Sequence, residues 1–129
     1  MIIKSVKLLI ATIGLSLGSA AFAEDLVFAV TGKDGSVWYY DAETVRRYPN
    51  NTVEFWAKED ASKNKTVRYW TSRYHWRMDC SAETMGSLRF LDYRADGTVI
   101  QSDYYKNPEM APGVPGSIGQ ELFEVMCSK

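Results

Sequence analysis

Strict alternation of apolar and polar side chains is the feature that most constrains the fold of this chain. In residues 52–58, Val53, Phe55 and Ala57 share one side, and the side chains between them are polar or amphipathic. Residues 73–80 continue the same period: one face holds Tyr74, Trp76, Met78 and Cys80, and the other holds Arg73, His75, Arg77 and Asp79. A period of two is typical of a strand with one buried face. The pattern therefore predicts a sheet that is covered on one side.

Turn-forming residues divide the chain into several more short strands. The predicted strands are residues 26–31, 37–41, 52–58, 66–80, 88–94 and 98–105, and residues 44–48 are either strand or a short bend. Because Val67 and Tyr69 are out of register with Tyr74, we expect a bulge or kink at Thr71-Ser72. Asp96-Gly97 is a strong hairpin signal. These signals predict an antiparallel meander of about five or six strands.

The C-terminal region changes from a strand pattern to a helical one. Residues 107–116 contain three of the four prolines and are predicted to form a surface loop. Ser117 followed by Gln120 has the spacing of a capping box, which marks a helix start. One apolar stripe follows, formed by Ile118, Leu122, Val125 and Met126. The predicted fold class is therefore α+β, with a C-terminal helix that ends at Cys127 and packs on the sheet.

The N-terminus has the order of a secretory signal peptide. Lys4 and Lys7 precede an apolar run over residues 8–17, and small residues then lead to Ala21-Phe22-Ala23. The run of about ten residues is short for a membrane span of about 20, although a short membrane anchor is the alternative. We expect residues 1–23 to be cleaved, which leaves one domain over residues 24–129. No cysteine for lipid attachment lies at the cut site, so a periplasmic, secreted or cell-surface protein is expected.

The two cysteines, Cys80 and Cys127, both lie in the predicted exported domain. In an oxidising compartment two cysteines most simply pair. The alternatives are a reactive thiol and a metal ligand. Because Cys80 falls on the apolar face of its strand, a disulfide would fasten the C-terminal helix to the sheet.

Several classes of function have little support in the composition and motifs. The net charge of −1 argues against a nucleic-acid-binding protein, which needs a large positive excess. No motif predicts a metal site, a cofactor or a membrane span after cleavage. His75, the one histidine, is interpreted as a surface residue whose pKa is lowered by neighbouring cations rather than as a catalytic base. The carboxylates of Glu59-Asp60 are interpreted as solvated charges in a polar loop.

A basic and aromatic segment is the candidate binding surface. Its members are Lys63, Lys65, Arg68, Trp70, Arg73, His75 and Arg77. Trp56 is expected on the same side. Arginine and aromatic side chains are common anchors of protein interfaces, which favours a protein or acidic partner. The alternative is structural, because arginine stems and tryptophans also cover thin cores.

The order of several short motifs resembles the surface-adhesin protein E family of Gram-negative bacteria. The matching pieces are Tyr39-Tyr40-Asp41 with Thr44-Val45, Val53-Glu54-Phe55-Trp56-Ala57-Lys58, Asp79-Cys80, Leu91-Asp92-Tyr93 with Asp96-Gly97-Thr98-Val99, and Pro115-Gly116-Ser117 before Cys127. The resemblance covers most of residues 37–127. It implies an antiparallel sheet with a packed helix and a Cys80–Cys127 disulfide, and it implies that some members bind host matrix proteins. The missing lipid-anchoring cysteine is a departure from a surface-attached adhesin.

Three hypotheses of function follow from these observations. The first is a non-catalytic, adhesin-like binding module that contacts a protein or acidic ligand through the basic and aromatic surface. The second is a periplasmic envelope protein, either an inhibitor or an assembly factor that acts on another periplasmic protein. The third is a small hydrolase that uses His75 or a carboxylate pair. An exposed edge strand also makes a dimer possible.

Overall fold

The computed structural model describes residues 24–128 as one sheet and one helix. The predicted signal peptide, residues 1–23, lies outside the described residues and stays a prediction. A 3₁₀ turn, Ala42–Thr44, and a helix α1, Ile118–Cys127, accompany the strands. The strands are β1 Leu26–Thr31, β2 Val37–Asp41, β3 Arg46–Tyr48, β4 Thr52–Asp60, β5 Thr71–Asp79, β6 Thr84–Tyr93, β7 Val99–Tyr104 and β8 Ala111–Pro112.

The sheet confirms the predicted antiparallel meander. Its spatial order is β1-β2-β4-β5-β6-β7, while the short β3 pairs with β4 and the two-residue β8 pairs with β6. The Asp96-Gly97 turn joins β6 to β7, and Gly97 has a φ of 86°, which a residue without a Cβ adopts without strain. The α+β class and the number of main strands were thus predicted correctly, because period-two alternation and turn residues are local signals.

One face of the sheet, here called the inner face, packs against α1. Phe55, Met78 and Leu122 are fully buried where the two layers meet. The predicted helix start is confirmed, since the Ser117 hydroxyl accepts a hydrogen bond from the Gln120 amide at 3.2 Å. Gly119 lets the helix approach the sheet, because a Cβ there would lie 2.9 Å from the sulfur of Met85.

The disulfide joins Cys127 at the end of α1 to Cys80, the residue after β5. The Cα atoms are 5.5 Å apart, a normal separation for a disulfide. Arg47 adds a second link, because its guanidinium donates to the carbonyl of Met126 at 2.9 Å. The predicted attachment of the helix to the sheet is confirmed.

Three element boundaries predicted from the sequence were wrong. The strand predicted over residues 66–80 begins only at Thr71, and its irregularity lies between His75 and Trp76 rather than at Thr71-Ser72. Val67 and Tyr69 therefore belong to a loop, which explains their wrong register. In addition, β4 continues through Glu59 and Asp60, and β6 begins at Thr84 rather than at Leu88. Pairing with neighbouring strands sets these ends, and local composition does not report it.

Candidate binding surfaces

A polar row crosses the inner face of the sheet, and three of its members, Glu59, Ser72 and Asp92, are buried. The sheet register places Glu59 beside Ser72, Ser72 beside Asp92, and Asp92 beside Gln101. The Ser72 hydroxyl donates to one carboxylate oxygen of Asp92 and the Gln101 amide donates to the other, each at 2.6 Å. Both oxygens of the Asp92 carboxylate thus accept hydrogen bonds, as buried polar groups usually do.

Glu59 is buried in β4, so its interpretation as a solvated charge in a polar loop was wrong. Its side chain is 3% exposed rather than solvated. The Ser36 hydroxyl donates to Oε2 at 2.6 Å, and the Tyr69 hydroxyl donates to Oε1 at 2.8 Å. Burial raises the pKa of Glu59 and outweighs these two hydrogen bonds, which act in the opposite direction. Burial also raises the pKa of Tyr69 strongly.

This network holds the loop of residues 61–70, which we call the basic loop, against the inner face. The Asn64 amide donates to the Ser36 hydroxyl at 3.0 Å, and Asn64 is itself buried. At the far end of the basic loop, the Trp70 amide donates to the Tyr93 carbonyl at 2.8 Å. Four predicted site residues lie on this loop, and all four are at least partly exposed: Lys63, Lys65, Arg68 and Trp70.

The other three predicted site residues lie on the opposite side of β5, here called the outer face. Arg73, His75 and Arg77 alternate there with the inner-face residues, as the period-two pattern predicted. The structure therefore divides the seven predicted residues between two surfaces instead of one continuous strip. The division arises because the chain turns out of the sheet before Thr71.

Both outer-face arginines of β5 already have carboxylate partners. Arg73 forms an ion pair with Glu24, and Arg77 donates through Nε to Glu54 at 2.8 Å. Glu54 lies directly opposite Arg77 in the β4–β5 register. Exposed pairs of this kind contribute about 0–1 kcal/mol each, so their main consequence is to neutralise charge on the outer face.

His75 is part of an aromatic and cationic row at the centre of the outer face. Its ring stacks on Trp56 with centroids 4.9 Å apart and an interplanar angle of 4°. Burial is the main cause that lowers the pKa of His75, and the charges of Arg77 and Arg89 lower it further, against an opposing effect of Glu54. The direction is the predicted one, although burial is the larger cause and the second contributing cation is Arg89 rather than Arg73.

Arg89 and Tyr104 complete this row and were missed by the sequence analysis. Arg89 is paired with His75 across β5 and β6 and with Tyr104 across β6 and β7. Its guanidinium carbon lies 5.4 Å from the centroid of the Tyr104 ring, and Tyr104 is 59% exposed. Within residues 24–128, the charge of Arg89 is not neutralised by an ion pair with a carboxylate. The alternation in β6 is consistent with an outward position of Arg89. Only the pairing of β5 with β6 places Arg89 beside His75.

Neither a metal site nor a membrane-spanning helix is found in residues 24–128. No cluster of three or more histidine, cysteine or acidic side chains there has the arrangement of a metal site. In the same range, no helix is long and apolar enough to cross a membrane.

The fold defines the class of protein: a small α+β domain whose C-terminal helix is fastened to a curled antiparallel sheet by one disulfide. Two solved structures of Haemophilus influenzae protein E are similar to it. The structure of crystal form II has a TM-score of 0.57 at 13% identity and covers 82% of this chain and 89% of that chain. The other has a TM-score of 0.55 at 12% identity and covers 82% and 86%. At these identities the likeness concerns the fold alone.

The sequence itself matches the model of the family described as surface-adhesin protein E over residues 28–128. The chain belongs to this family, a family of adhesin-like surface proteins, as the resemblance in the sequence indicated. No protein with a curated description matches the chain significantly in sequence.

Proposed function

We propose that this protein is a non-catalytic binding module that contacts an acidic protein partner through the outer face of its sheet. Membership of an adhesin family supports a binding role. The observation that carries the choice of surface is the row of Trp56, His75, Arg89 and Tyr104. It combines stacked aromatic rings with an arginine that has no ion-pair partner in the described residues.

The chemistry of this row is that of a protein interface anchor. Arginine, tryptophan and tyrosine side chains dominate the binding energy of many interfaces. Arg89 is the permanently charged member of the row, and the pKa of His75 is lowered chiefly by burial. A partner with carboxylates and an exposed apolar group would satisfy both halves of the surface. The host matrix proteins implied by the family resemblance are our first candidates, and envelope proteins are the second.

Reversing the charge of Arg89 tests this surface. We expect Arg89→Glu to weaken binding to an acidic matrix or envelope protein by about tenfold or more, because a central arginine is often worth more than 1 kcal/mol. Affinity is measured by surface plasmon resonance on immobilised candidate proteins. The matched control is Lys63→Glu, which makes the same charge change on the exposed basic loop. Equal effects of the two variants, or none from Arg89→Glu, would reject the outer face as the binding surface.

The basic loop favours a second, weaker candidate surface. Lys63, Lys65, Arg68 and Trp70 reach solvent there, and Trp70 is 48% exposed despite its size. If Lys63→Glu reduces binding and Arg89→Glu does not, the partner contacts this loop. A soluble periplasmic partner recovered by crosslinking, without affinity for matrix proteins, would favour the envelope-protein alternative.

We also propose that two copies of the chain form a dimer by pairing of β7 with β7 of the second copy. All six residues of β7 are exposed at the edge of the sheet, including Val99 and Ile100, whereas β1 is interrupted by a register shift and contacts α1. Exposed apolar edges favour strand addition. We expect Ile100→Lys to shift a dimer to monomer in sedimentation velocity, while Lys33→Glu has no effect. A monomeric parent protein at micromolar concentration would contradict the proposal.

A further inference from the structure

Two ion pairs lie on the outer face within residues 24–128. Glu24 is the one member of these pairs that lies outside a strand. Its carboxylate contacts Arg73, while Glu54, the partner of Arg77, is fixed in β4 by the strand register. The Glu24 side chain is 34% exposed, and that of Glu54 is 16% exposed. Glu24 is therefore the more easily displaced of the two carboxylates.

Arg73 lies in a shallow depression whose own carboxylate, that of Asp41, already accepts hydrogen bonds from the backbone amides of Asp25 and Glu43. The residues around it are Asp41, Thr44, Trp56, Leu91 and Tyr93. Trp56 supplies an aromatic wall and connects the depression directly to the row that contains His75 and Arg89. A guanidinium between aromatic walls recognises a carboxylate by charge and by hydrogen-bond geometry.

The backbone next to Glu24 is attached at the rim of this depression. The Asp25 amide donates to the Asp41 carboxylate at 3.3 Å, and the Asp25 carbonyl accepts from the Ala42 amide at 2.8 Å. The chain therefore keeps the Glu24 carboxylate close to Arg73 even when the ion pair opens. A tethered group of this kind acts at a high effective concentration and competes with a free ligand.

We propose that the depression at Arg73 is a carboxylate-binding subsite, that Glu24 occupies it as an intramolecular ligand, and that an acidic side chain of the partner displaces Glu24. This inference rests on the proposed function, because it assigns the partner's carboxylate to a particular arginine. Since an exposed ion pair contributes little to stability, the displacement is energetically modest. Glu24 thereby lowers the affinity for the partner.

The test measures binding of a fluorescein-labelled deca-glutamate peptide by anisotropy at low ionic strength. We expect Glu24→Ala to tighten binding by about two- to sixfold, because the fraction of free Arg73 rises. The matched control is Glu43→Ala, which removes a carboxylate that forms no ion pair in the described residues. The gain must exceed that of the control, since both variants raise the net charge equally.

A second variant separates site occupancy from a general charge effect. When Arg73 is replaced by glutamine, Glu24→Ala should increase the affinity for the peptide no more than Glu43→Ala does. A gain that persists without Arg73, or equal gains from Glu24→Ala and Glu43→Ala, overturns the inference. Binding of a heparin-derived oligosaccharide in place of deca-glutamate also overturns it, because the ligand would then be a sulfated glycan.

Failure of this inference is distinguishable from failure of the proposed function. If Arg89→Glu weakens binding and Glu24→Ala behaves like the control, the outer face binds its partner without the Arg73 subsite. If Arg89→Glu has no effect on any acidic ligand, the proposed function itself fails.

NMR gives a direct readout of Arg73. On addition of deca-glutamate, the side-chain NεH resonance of Arg73 in ¹⁵N spectra should shift. In Glu24→Ala, this shift should occur at a lower peptide concentration than in the parent protein.

Discussion

Replacing both cysteines by alanine, Cys80→Ala with Cys127→Ala, should lower the free energy of unfolding by about 2–5 kcal/mol. The disulfide closes a loop with a sequence separation of 47. The chain-entropy model gives about 4 kcal/mol for a loop of that length. The total stability of a domain this small is commonly about 5–15 kcal/mol, so the loss is a large part of it. Urea denaturation followed by tryptophan fluorescence measures the change.

The physical reason is the position of the disulfide between the two layers of the fold. Once it is removed, α1 remains in place through Leu122, Phe123 and Met126, which are buried against the sheet. We therefore expect a folded but less stable protein at room temperature, with the helix as its least stable element. The control is dithiothreitol, which should destabilise the parent protein and leave the double variant unchanged. A loss below about 1 kcal/mol would mean that helix packing alone holds the two layers together.

Replacing Glu59 by alanine should lower the free energy of unfolding by about 2–4 kcal/mol. The substitution leaves the buried hydroxyl of Ser36 and the half-buried hydroxyl of Tyr69 without their acceptor. An unsatisfied buried donor costs about 1–3 kcal/mol. We expect the basic loop to loosen at the same time, since Tyr69 holds it to the inner face through Glu59. Hydrogen exchange of the loop amides measures the loosening. The control is Glu43→Ala, which should leave both stability and loop exchange unchanged.

The pH dependence of stability tests the buried state of Glu59 independently. The pKa of Glu59 in the native state is raised above 4.5. At pH values between 4.5 and this native pKa, the native state therefore binds more protons than the unfolded chain does. Stability contributed by Glu59 is therefore complete below about pH 4.5 and is lost as the pH rises through the native pKa. The titratable groups around it are Asp34, Tyr69, Tyr74 and Asp92, of which the two aspartates raise the pKa by repulsion.

Other groups titrate with the opposite sign, so the comparison must isolate Glu59. The lowered pKa of Asp60 contributes stability that is lost as the pH falls below about 3.8. The lowered pKa of His75 contributes stability that is lost as the pH falls below about 6.5. Both contributions cancel in the difference in stability between the parent and Glu59→Gln. This difference should decrease with rising pH above 4.5, and a difference that is constant or increases would contradict a raised pKa.

The sequence by itself determined the class of the fold. Period-two alternation in β4 and β5, the Asp96-Gly97 turn and the Ser117 cap are local signals, and local signals are sufficient to predict strands, a hairpin and a helix start. The disulfide was also predictable, because two cysteines in a domain that is predicted to be exported have one simple pairing. The order of the short motifs along the chain also indicated the family.

Only the tertiary structure decided the composition of the candidate surfaces. Arg89 and Tyr104 join His75 because strand register brings together residues from three different strands. Glu59 continues the period-two face of Val53, Phe55 and Ala57, but its charge and the polar residues after it favoured a solvated loop. Its partners, Ser36 and Tyr69, come from two different connections of the sheet. Burial and charge pairing depend on contacts between distant segments, so they emerge only when the chain is folded.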